Sequence, residues 1–281
     1  MGQHKKNNIH LLTFYTEGGD NDLGLNLLDV KNTFEKQAKK HFSSIIISCP
    51  RKLIANESKW LNIFKDQREW TKEQIRLTGT NFPWNKNWAA LNFLLWKPIL
   101  IRDILLNNDL IKTGDIIFYH DINIKTYPEY LHGMHKWKDF IHDHMKNKSI
   151  LLFNDNNMTI NKDAKKELID KYLNNTEDPN KLHHIWAGAL AIRKDETGVS
   201  FINEWYNICI DKSNRSPVTS YPNEPDFIWH SQEQACLSIL YHLNSIKFKD
   251  KIKCCFLYGK RSIPVKNINR LKWQIKKFVS H

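Results

Sequence analysis

The sequence predicts an α/β protein whose sheet is mainly parallel and flanked by helices. Short apolar, strand-like runs alternate with longer segments of helical periodicity, the pattern of a sheet built from β-α-β units. One apolar run, at 116–119, ends abruptly on oxygen-bearing side chains, as buried strands that lead into a ligand site do. With 281 residues and 41% hydrophobic content, the chain is large enough to bury one extensive core.

The N-terminal half contains one clear β-α-β unit followed by two helices and a strand. In order, the predicted elements are a strand at 9–15, a helix at 23–40, a strand at 43–48, helices at 53–70 and 88–106, and a strand at 116–119. Pro98 lies inside the last of these helices and must kink or restart it, because proline lacks the backbone N–H that a helix interior needs.

The C-terminal half continues the alternation after a polar, aromatic and histidine-rich region at 127–145. The predicted elements are strands at 149–153 and 186–192 and helices at 199–210 and 232–241, with flexible segments near 174–181 and 211–224. No internal repeat is present. We expect a single domain over 1–281, with halves at about 9–125 and 126–260 and a basic C-terminal helix at 261–281.

Charge and cysteine content narrow the class of protein. The 42 Lys+Arg residues against 30 Asp+Glu give a formal charge of +12, which attracts phosphates, nucleic acid or an anionic membrane surface. No nucleic-acid-binding signature accompanies this charge, so nucleic acid is not the expected partner. Five cysteines without Cys-x-x-Cys spacing, and the lack of a signal peptide or of roughly 20 consecutive apolar residues, predict a soluble cytoplasmic protein.

The strand-like run at 116–119 leads into the most informative polar cluster. Asp121 and Asn123 follow it, with His120 beside them. Two oxygen donors two residues apart can hold a divalent cation whose other ligands are phosphate oxygens. The same two residues also form Asx turns, which only reverse the chain.

Three other clusters have a functional and a structural interpretation each. The loop containing Thr16 and Gly18 lets a base or phosphate approach the backbone, or is a simple turn. The acids of 20–22 have metal-site spacing but are better placed to cap the following helix. Four histidines are close enough in sequence to suggest zinc, although an amphipathic helix explains them better: His132, His135, His142 and His144.

Single residues in the predicted helices and strands extend the candidate site. Lys97 interrupts an apolar, aromatic helix, and its ammonium must reach an anion or escape to solvent. Gly188 follows Trp186 and leaves room for a flat sugar ring, or for packing alone. Glu233 opens a helix, where an acid stabilises the helix dipole or removes a hydroxyl proton in a cleft.

Taken in order along the chain, these motifs resemble those of nucleotide-sugar glycosyltransferases of the GT-A type. The motifs are Trp96-Lys97-Pro98, the segment 114–123, Trp186-Ala187-Gly188 and His230-x-x-Glu233-Gln234. Similar small enzymes occur in bacterial polysaccharide clusters and in large DNA viruses such as the chlorella viruses. The resemblance spans roughly residues 9 to 240.

The resemblance implies a Rossmann-type sheet that binds a nucleotide sugar, with Mn²⁺ or Mg²⁺ held against the diphosphate by an Asp-x-Asp-type element. Asp121 and Asn123 match its two positions, the second of them an asparagine where aspartate is more usual. It further implies that Lys97 approaches the diphosphate or stabilises the helix around the nucleotide, and that Glu233 is the base of an inverting transfer to a glycan hydroxyl. A UDP-sugar, with UDP-xylose as the specific expectation, is the implied donor.

Two other functions are compatible with the same residues. Asp121 and Glu233 would also serve as the carboxylate pair of a glycoside hydrolase. A protein that binds glycans or nucleic acid without turnover would use the ten tryptophans as stacking platforms. The basic segment 266–277 either packs as a tail helix or docks peripherally on an anionic membrane.

Overall fold

The fold is seen in a computed structural model of the chain. It describes residues 8–15, 27–48, 95–121, 134–173, 178–216, 218–228, 230–245 and 247–256. The N-terminal loop with Thr16 and Gly18, the predicted helix at 53–70 and the basic segment at 261–281 lie outside these residues.

The described strands form one mixed, mostly parallel sheet. They are β1 (Ile9–Phe14), β2 (Ser44–Ser48), β3 (Ile116–His120), β4 (Ile150–Thr159), β5 (His183–Arg193) and β6 (Ile252–Phe256). Their spatial order is β2-β1-β3-β5-β4-β6, and only β5 runs antiparallel to its neighbours. The α/β class and the mainly parallel sheet are therefore confirmed, whereas β6 was not predicted.

Helices cover both faces of the sheet. They are α1 (Leu27–Ala38), α2 (Trp96–Asn107), α3 (Met134–His144), α4 (Ile160–Asp163), α5 (Lys166–Leu173), α6 (Glu196–Ile210), α7 (Lys212–Arg215) and α8 (Glu233–Asn244). One core joins α2, α5, α6 and α8 to the sheet, and the other joins α1 and α3 to its opposite face. Because both faces are covered, β1 and β3 are buried along their whole length and consist mainly of apolar residues.

Two predicted segments can be compared with the structure in detail. Of the helix predicted at 88–106, residues 88–94 lie outside the described residues, and the described helix begins at Trp96. Pro98 is therefore its third residue, where no intrahelical N–H bond is required, in agreement with the predicted restart at this proline. The segment 211–224, predicted to be flexible, begins with the short helix α7. Asp211 caps this helix by accepting a hydrogen bond from Ser213 N at 2.9 Å, and Arg215 within it is fully buried.

An irregularity in β5 lies next to the end of β3. Leu152 of β4 pairs with Leu190, but Asn154 pairs with Ile185, so β5 carries extra residues between these two pairings. This bulge, at residues 186–189, releases backbone groups of β5 from the ladder with β4. Bulges of this kind redirect groups beside binding sites.

No helix in the described part of the chain has the length and apolar character required to cross a lipid bilayer.

Candidate active site

Three charged side chains from distant parts of the chain meet at the carboxyl end of β3. The Lys97 Nζ lies 3.5 Å from Oδ1 of Asp121 and 3.3 Å from Oε1 of Glu233. It also donates to the carbonyl oxygen of Ala187 at 3.3 Å. The carboxyl ends of the strands are where open α/β sheets bind ligands.

The β5 bulge holds these side chains in place through its backbone. Asp121 N donates to the carbonyl oxygen of Gly188 at 2.8 Å, which fixes the chain as it leaves β3. Ala187 N donates to Oε1 of Gln234 at 2.8 Å, while its carbonyl oxygen accepts from Lys97. One irregular stretch of strand therefore binds the end of β3 and the first turns of α2 and α8.

Asp121 is the accessible member of the cluster. Its side chain is 39% exposed, and its Oδ1 accepts a hydrogen bond from the buried Tyr119 hydroxyl as well as the contact from Lys97. Its Oδ2 has no partner among the residues that the structure describes. One oxygen of Asp121 is thus committed to the protein and the other is available to a ligand.

Glu233 is the buried member. Its side chain is only 2% exposed, and its Oε2 has no hydrogen-bond partner in the described part of the chain. Burial raises the pKa of Glu233 to about 7, although the Lys97 ammonium opposes this shift. A carboxyl group with that pKa can accept and release a proton near neutral pH.

Lys97 carries the positive charge that the two acids share. Burial alone would lower the pKa of Lys97, but the neighbouring Asp121 and Glu233 raise it above its usual value. Burial and the Asp121 charge also raise the pKa of Tyr119 well above its usual value, so the phenol remains a hydrogen-bond donor. The cluster therefore joins one permanent cation to one exposed acid and one buried acid.

His120 lies on the other face of the strand end. Its Nδ1–H donates to the carbonyl oxygen of Asp121 at 2.7 Å, and its ring contacts those of Trp137 and Trp186 edge-on. Burial lowers the pKa of His120, so the imidazole is neutral at pH 7. This residue fixes the backbone of Asp121 from the face opposite Lys97.

The structure brings together five of the eight predicted site residues: Lys97, His120, Asp121, Gly188 and Glu233. The other three lie outside the described residues: Thr16, Gly18 and Asn123.

Gly188 is explained by close packing. A Cβ atom at this position would lie 2.3 Å from the indole ring of Trp186, which occupies the space beside the glycine. The packing interpretation is therefore favoured over a surface for a flat sugar ring. Contact of Gly188 with a nucleotide sugar stays a prediction.

The described part of the histidine-rich region forms the helix α3, amphipathic as predicted, whereas His132 lies outside the described residues. His144 in α3 donates through Nδ1 to the carbonyl oxygen of Phe140 at 2.9 Å and stacks on its ring. No group of three or more His, Cys, Asp or Glu side chains with metal-site geometry occurs among the described residues.

Two residues of the site were not predicted from the sequence. Tyr119 donates to Asp121, and Gln234 binds the β5 bulge. The first has a sequence signal, because residues two apart on a strand share a face. Gln234 has none, since the contact depends on an irregularity of a distant strand.

The described part of the site offers a divalent cation a single exposed carboxylate, that of Asp121, so metal binding stays a prediction. Asp121 offers one accessible carboxylate oxygen, and hard divalent cations bind such oxygens together with phosphate and water oxygens. Glu233 is too buried to reach the same ion without movement of the residues around it.

A comparison of the chain with models of known protein families gives no match, and neither does a search of curated proteins. The functional assignment therefore depends on the geometry around Lys97.

Proposed function

We propose that this protein is a metal-dependent glycosyltransferase of the GT-A type. It would transfer a sugar from a nucleotide sugar, most simply a UDP-sugar such as UDP-xylose, to a hydroxyl group of a glycan. The observation that carries the proposal is the convergence of Asp121 and Glu233 on Lys97 at the carboxyl end of a central strand.

The sheet supports this proposal through its topology. The strands β2, β1 and β3 are parallel neighbours, an arrangement compatible with a Rossmann-like half-sheet, and in open α/β sheets a ligand is expected beyond the carboxyl ends of such strands. Asp121 lies at that edge, where β5 joins in antiparallel orientation. This arrangement is compatible with a Rossmann-like, GT-A-type domain.

The chemistry requires a base for the acceptor hydroxyl and a positive charge that stabilises the leaving diphosphate. In an inverting transfer, the acceptor oxygen attacks the anomeric carbon, its proton passes to a carboxylate, and the bond from carbon to the diphosphate oxygen breaks. Glu233, with a pKa of about 7, has the proton affinity for the first role. The acceptor hydroxyl would approach from the exposed side, where Asp121 lies, and would reach Glu233 only after the residues that bury this side chain move.

The metal would be held by Asp121, together with the diphosphate and with Asn123 as the second predicted ligand. A bound Mn²⁺ or Mg²⁺ supplies positive charge that offsets the charge developing on the leaving diphosphate. The Tyr119 and Lys97 contacts to Oδ1 would present the opposite oxygen, Oδ2, to the ion.

Lys97 is assigned a positioning role in this proposal. Its ammonium is only 7% exposed and is already bound by two carboxylates and a carbonyl oxygen. A diphosphate would have to displace these partners to reach it. Lys97 therefore acts by holding Asp121 and Glu233 in register, in place of the direct diphosphate contact predicted from the sequence.

The two alternative functions are less well supported. A glycoside hydrolase needs open space between its carboxylates for the scissile bond, whereas the Lys97 ammonium lies between Asp121 and Glu233. A stacking surface for bases or sugars needs exposed indoles, whereas none of the four tryptophans among the described residues is fully exposed: Trp96 and Trp205 are buried, and Trp137 and Trp186 are half-buried.

The proposal is tested by a thermal-shift screen of UDP-, GDP- and TDP-sugars with and without Mn²⁺. A ligand that binds the native state raises the melting temperature, so we expect one nucleotide class to do so only when Mn²⁺ is present. Asp121→Ala should remove that shift. Release of free sugar from glycans in the absence of nucleotide would favour the hydrolase, and salt-sensitive oligonucleotide binding without any nucleotide-sugar shift would favour the binding protein.

A further inference from the structure

The residue before Glu233 has an unusual backbone conformation. Gln232 has φ 55° and ψ −115°, and it is the one residue other than glycine with positive φ in the described part of the chain. Gln234 N donates to the carbonyl oxygen of Ser231 at 3.1 Å and closes a four-residue turn. These values correspond to a type II′ turn, which has φ near about +60° and ψ near about −120° at its second residue and normally places glycine there.

A side chain at this position strains the backbone, and such strain persists only where the surroundings fix the conformation. On the N-terminal side, Ser231 N donates to the carbonyl oxygen of Asp163 at 3.0 Å. The Ser231 hydroxyl donates to the carboxylate of the same residue. Asp163 therefore binds both the backbone and the side chain of the residue that starts the turn.

Asp163 is itself fixed by contacts inside the protein. Its side chain is 2% exposed, and its Oδ2 also contacts Nδ1 of the buried His184 in β5. The next residue of β5, Ile185, donates its N–H to the Ser238 hydroxyl of α8 at 2.8 Å. The clamp formed by Asp163, Ser231 and His184 therefore anchors the turn to the same strand that carries the bulge.

On the C-terminal side, the turn is fixed at two more points. Gln234 accepts the N–H of Ala187, and the indole N–H of Trp205 donates to the carbonyl oxygen of Glu233 at 3.0 Å. Glu233 lies between these contacts, and its carboxylate reaches Lys97. The backbone direction at Gln232 thus determines where the Glu233 carboxyl group points.

We infer that Asp163, acting through Ser231 and the strained turn at Gln232, is a positioning residue that aims the Glu233 carboxyl group at the reaction site. This inference rests on the proposed function, because it assigns the strain to the placement of the base. The side chains of the clamp are buried, so they would act through the turn and not by contact with the sugar. The strained turn holds one carboxyl group in a fixed direction.

The first test compares Gln232→Gly with Gln232→Ala. Glycine adopts this conformation without strain and also frees the turn to move, whereas alanine keeps a Cβ atom and therefore keeps the constraint. We expect Gln232→Gly to melt at or above the wild-type temperature and yet to lose about tenfold or more in kcat, with the donor KM unchanged. Gln232→Ala should lose less turnover than Gln232→Gly and melt at a lower temperature.

The second test disrupts the clamp and follows the position of the turn by NMR, without any substrate. Ser231→Ala deletes the hydroxyl that binds Asp163, and Ser231→Thr restores a hydroxyl. The ¹H–¹⁵N indole signal of Trp205, identified by its loss in Trp205→Phe, reports the position of the Glu233 carbonyl oxygen. We expect this signal to shift in Ser231→Ala and Gln232→Gly and to return toward the wild-type position in Ser231→Thr.

The outcomes separate this inference from the proposed function. If the wild-type protein transfers no sugar from any donor, the proposed function fails, and the indole signal still shows whether the clamp fixes the turn. If transfer occurs and the indole signal moves in Gln232→Gly while kcat stays at the wild-type value, the turn has no role in catalysis and the inference is wrong. An unmoved indole signal in both Ser231→Ala and Gln232→Gly would also overturn it.

Discussion

Lys97 and Glu233 form an ion pair of 3.3 Å in which the side chains are only 7% and 2% exposed. Removing two charges from water is costly, and a buried pair contributes little to stability overall. Removing one partner of the pair is strongly destabilising, because the other charge is then left in the core without compensation. Asp121 shares the same ammonium, so changes at any of the three residues should affect the other two.

Glu233→Gln should lower kcat by about 10²- to 10⁴-fold if Glu233 is the base, since that is the contribution of a well-placed proton acceptor. The amide keeps the size of the side chain, so donor KM should change little. Steady-state kinetics with a donor found in the screen measure both quantities. Glu204→Gln is the matched control, because Glu204 lies on α6 and binds Asn244 and Lys247 away from the site. A rise in donor KM with kcat unchanged would assign Glu233 to donor binding and not to proton transfer.

Lys97→Met should destabilise the fold by about 3–5 kcal/mol, because two carboxylates lose their shared cation in a buried setting. Urea denaturation measures this loss. The double variant Lys97→Met with Glu233→Gln should recover part of it, since the buried acid is then neutral. Equal stability of the single and double variants would show that Glu233 is not the group that Lys97 compensates.

Asp121→Ala should abolish transfer and Mn²⁺-dependent nucleotide binding in a protein that stays folded, with a lower melting temperature because the buried Tyr119 hydroxyl loses its acceptor. Its side chain is 39% exposed, so its removal opens no large cavity in the core. Isothermal titration with Mn²⁺ and the nucleotide separates binding from turnover. Asp103→Ala, on α2 and bonded to Asn107, tests for unspecific effects of losing an acid. Full activity of Asp121→Ala would exclude it from the site.

The raised pKa of Glu233 predicts a specific dependence of stability on pH. The unfolded chain loses the proton near pH 4.5 and the folded protein near 7, so the folded state binds more protons between these values and wild-type stability falls as pH rises through that window. Glu233→Gln has no carboxyl group at this position and therefore lacks this dependence of stability on pH. The melting temperature of the variant relative to wild type should therefore increase between about pH 5 and 8, and a constant difference would contradict the raised pKa.

His230 should make the protein sensitive to acid. Burial lowers the pKa of His230 to about 3, and its Nε2–H donates to the carbonyl oxygen of Asn214 at 2.8 Å. The unfolded chain binds a proton near about pH 6.5, so stability is lost progressively as pH falls from there toward 3. Denaturant melts at pH 7, 5 and 4 should show a steeper decline for wild type than for His230→Gln. Parallel declines would contradict this assignment.

The sequence was sufficient for the fold class because its signal is local and repeated. Apolar runs such as Ile116–His120 are buried on both faces and read as strands without knowledge of their partners. β6 was missed because Ile252–Phe256 contains an exposed lysine and two cysteines, which weaken the apolar pattern of a strand.

The site was predicted residue by residue, but its internal arrangement was not. Lys97, Asp121 and Glu233 carry recognisable chemistry in the sequence, whereas their contact depends on the bulge in β5 and on the II′ turn at Gln232. The turn has no local signature, since glutamine occupies the position at which glycine would have indicated it. The bulge has only one, Gly188 inside the strand, which does not show what the released backbone groups bind. Because the sequence does not show which groups these features bring together, it suggested a phosphate as the anion near Lys97, whereas the structure places two carboxylates there.

The place of β5 in the sheet also affects how the chain is made. The partner of β3 on one edge, β1, precedes it in the chain, but its other edge is matched by residues 183–193, as in the pairing of Ile116 with Arg193. Until those residues emerge, β3 presents an apolar strand with unpaired N–H and C=O groups, the kind of edge that recruits other chains. A nascent chain arrested between β4 and β5 would therefore depend most on chaperones, and the strand that organises the site also ends that exposure.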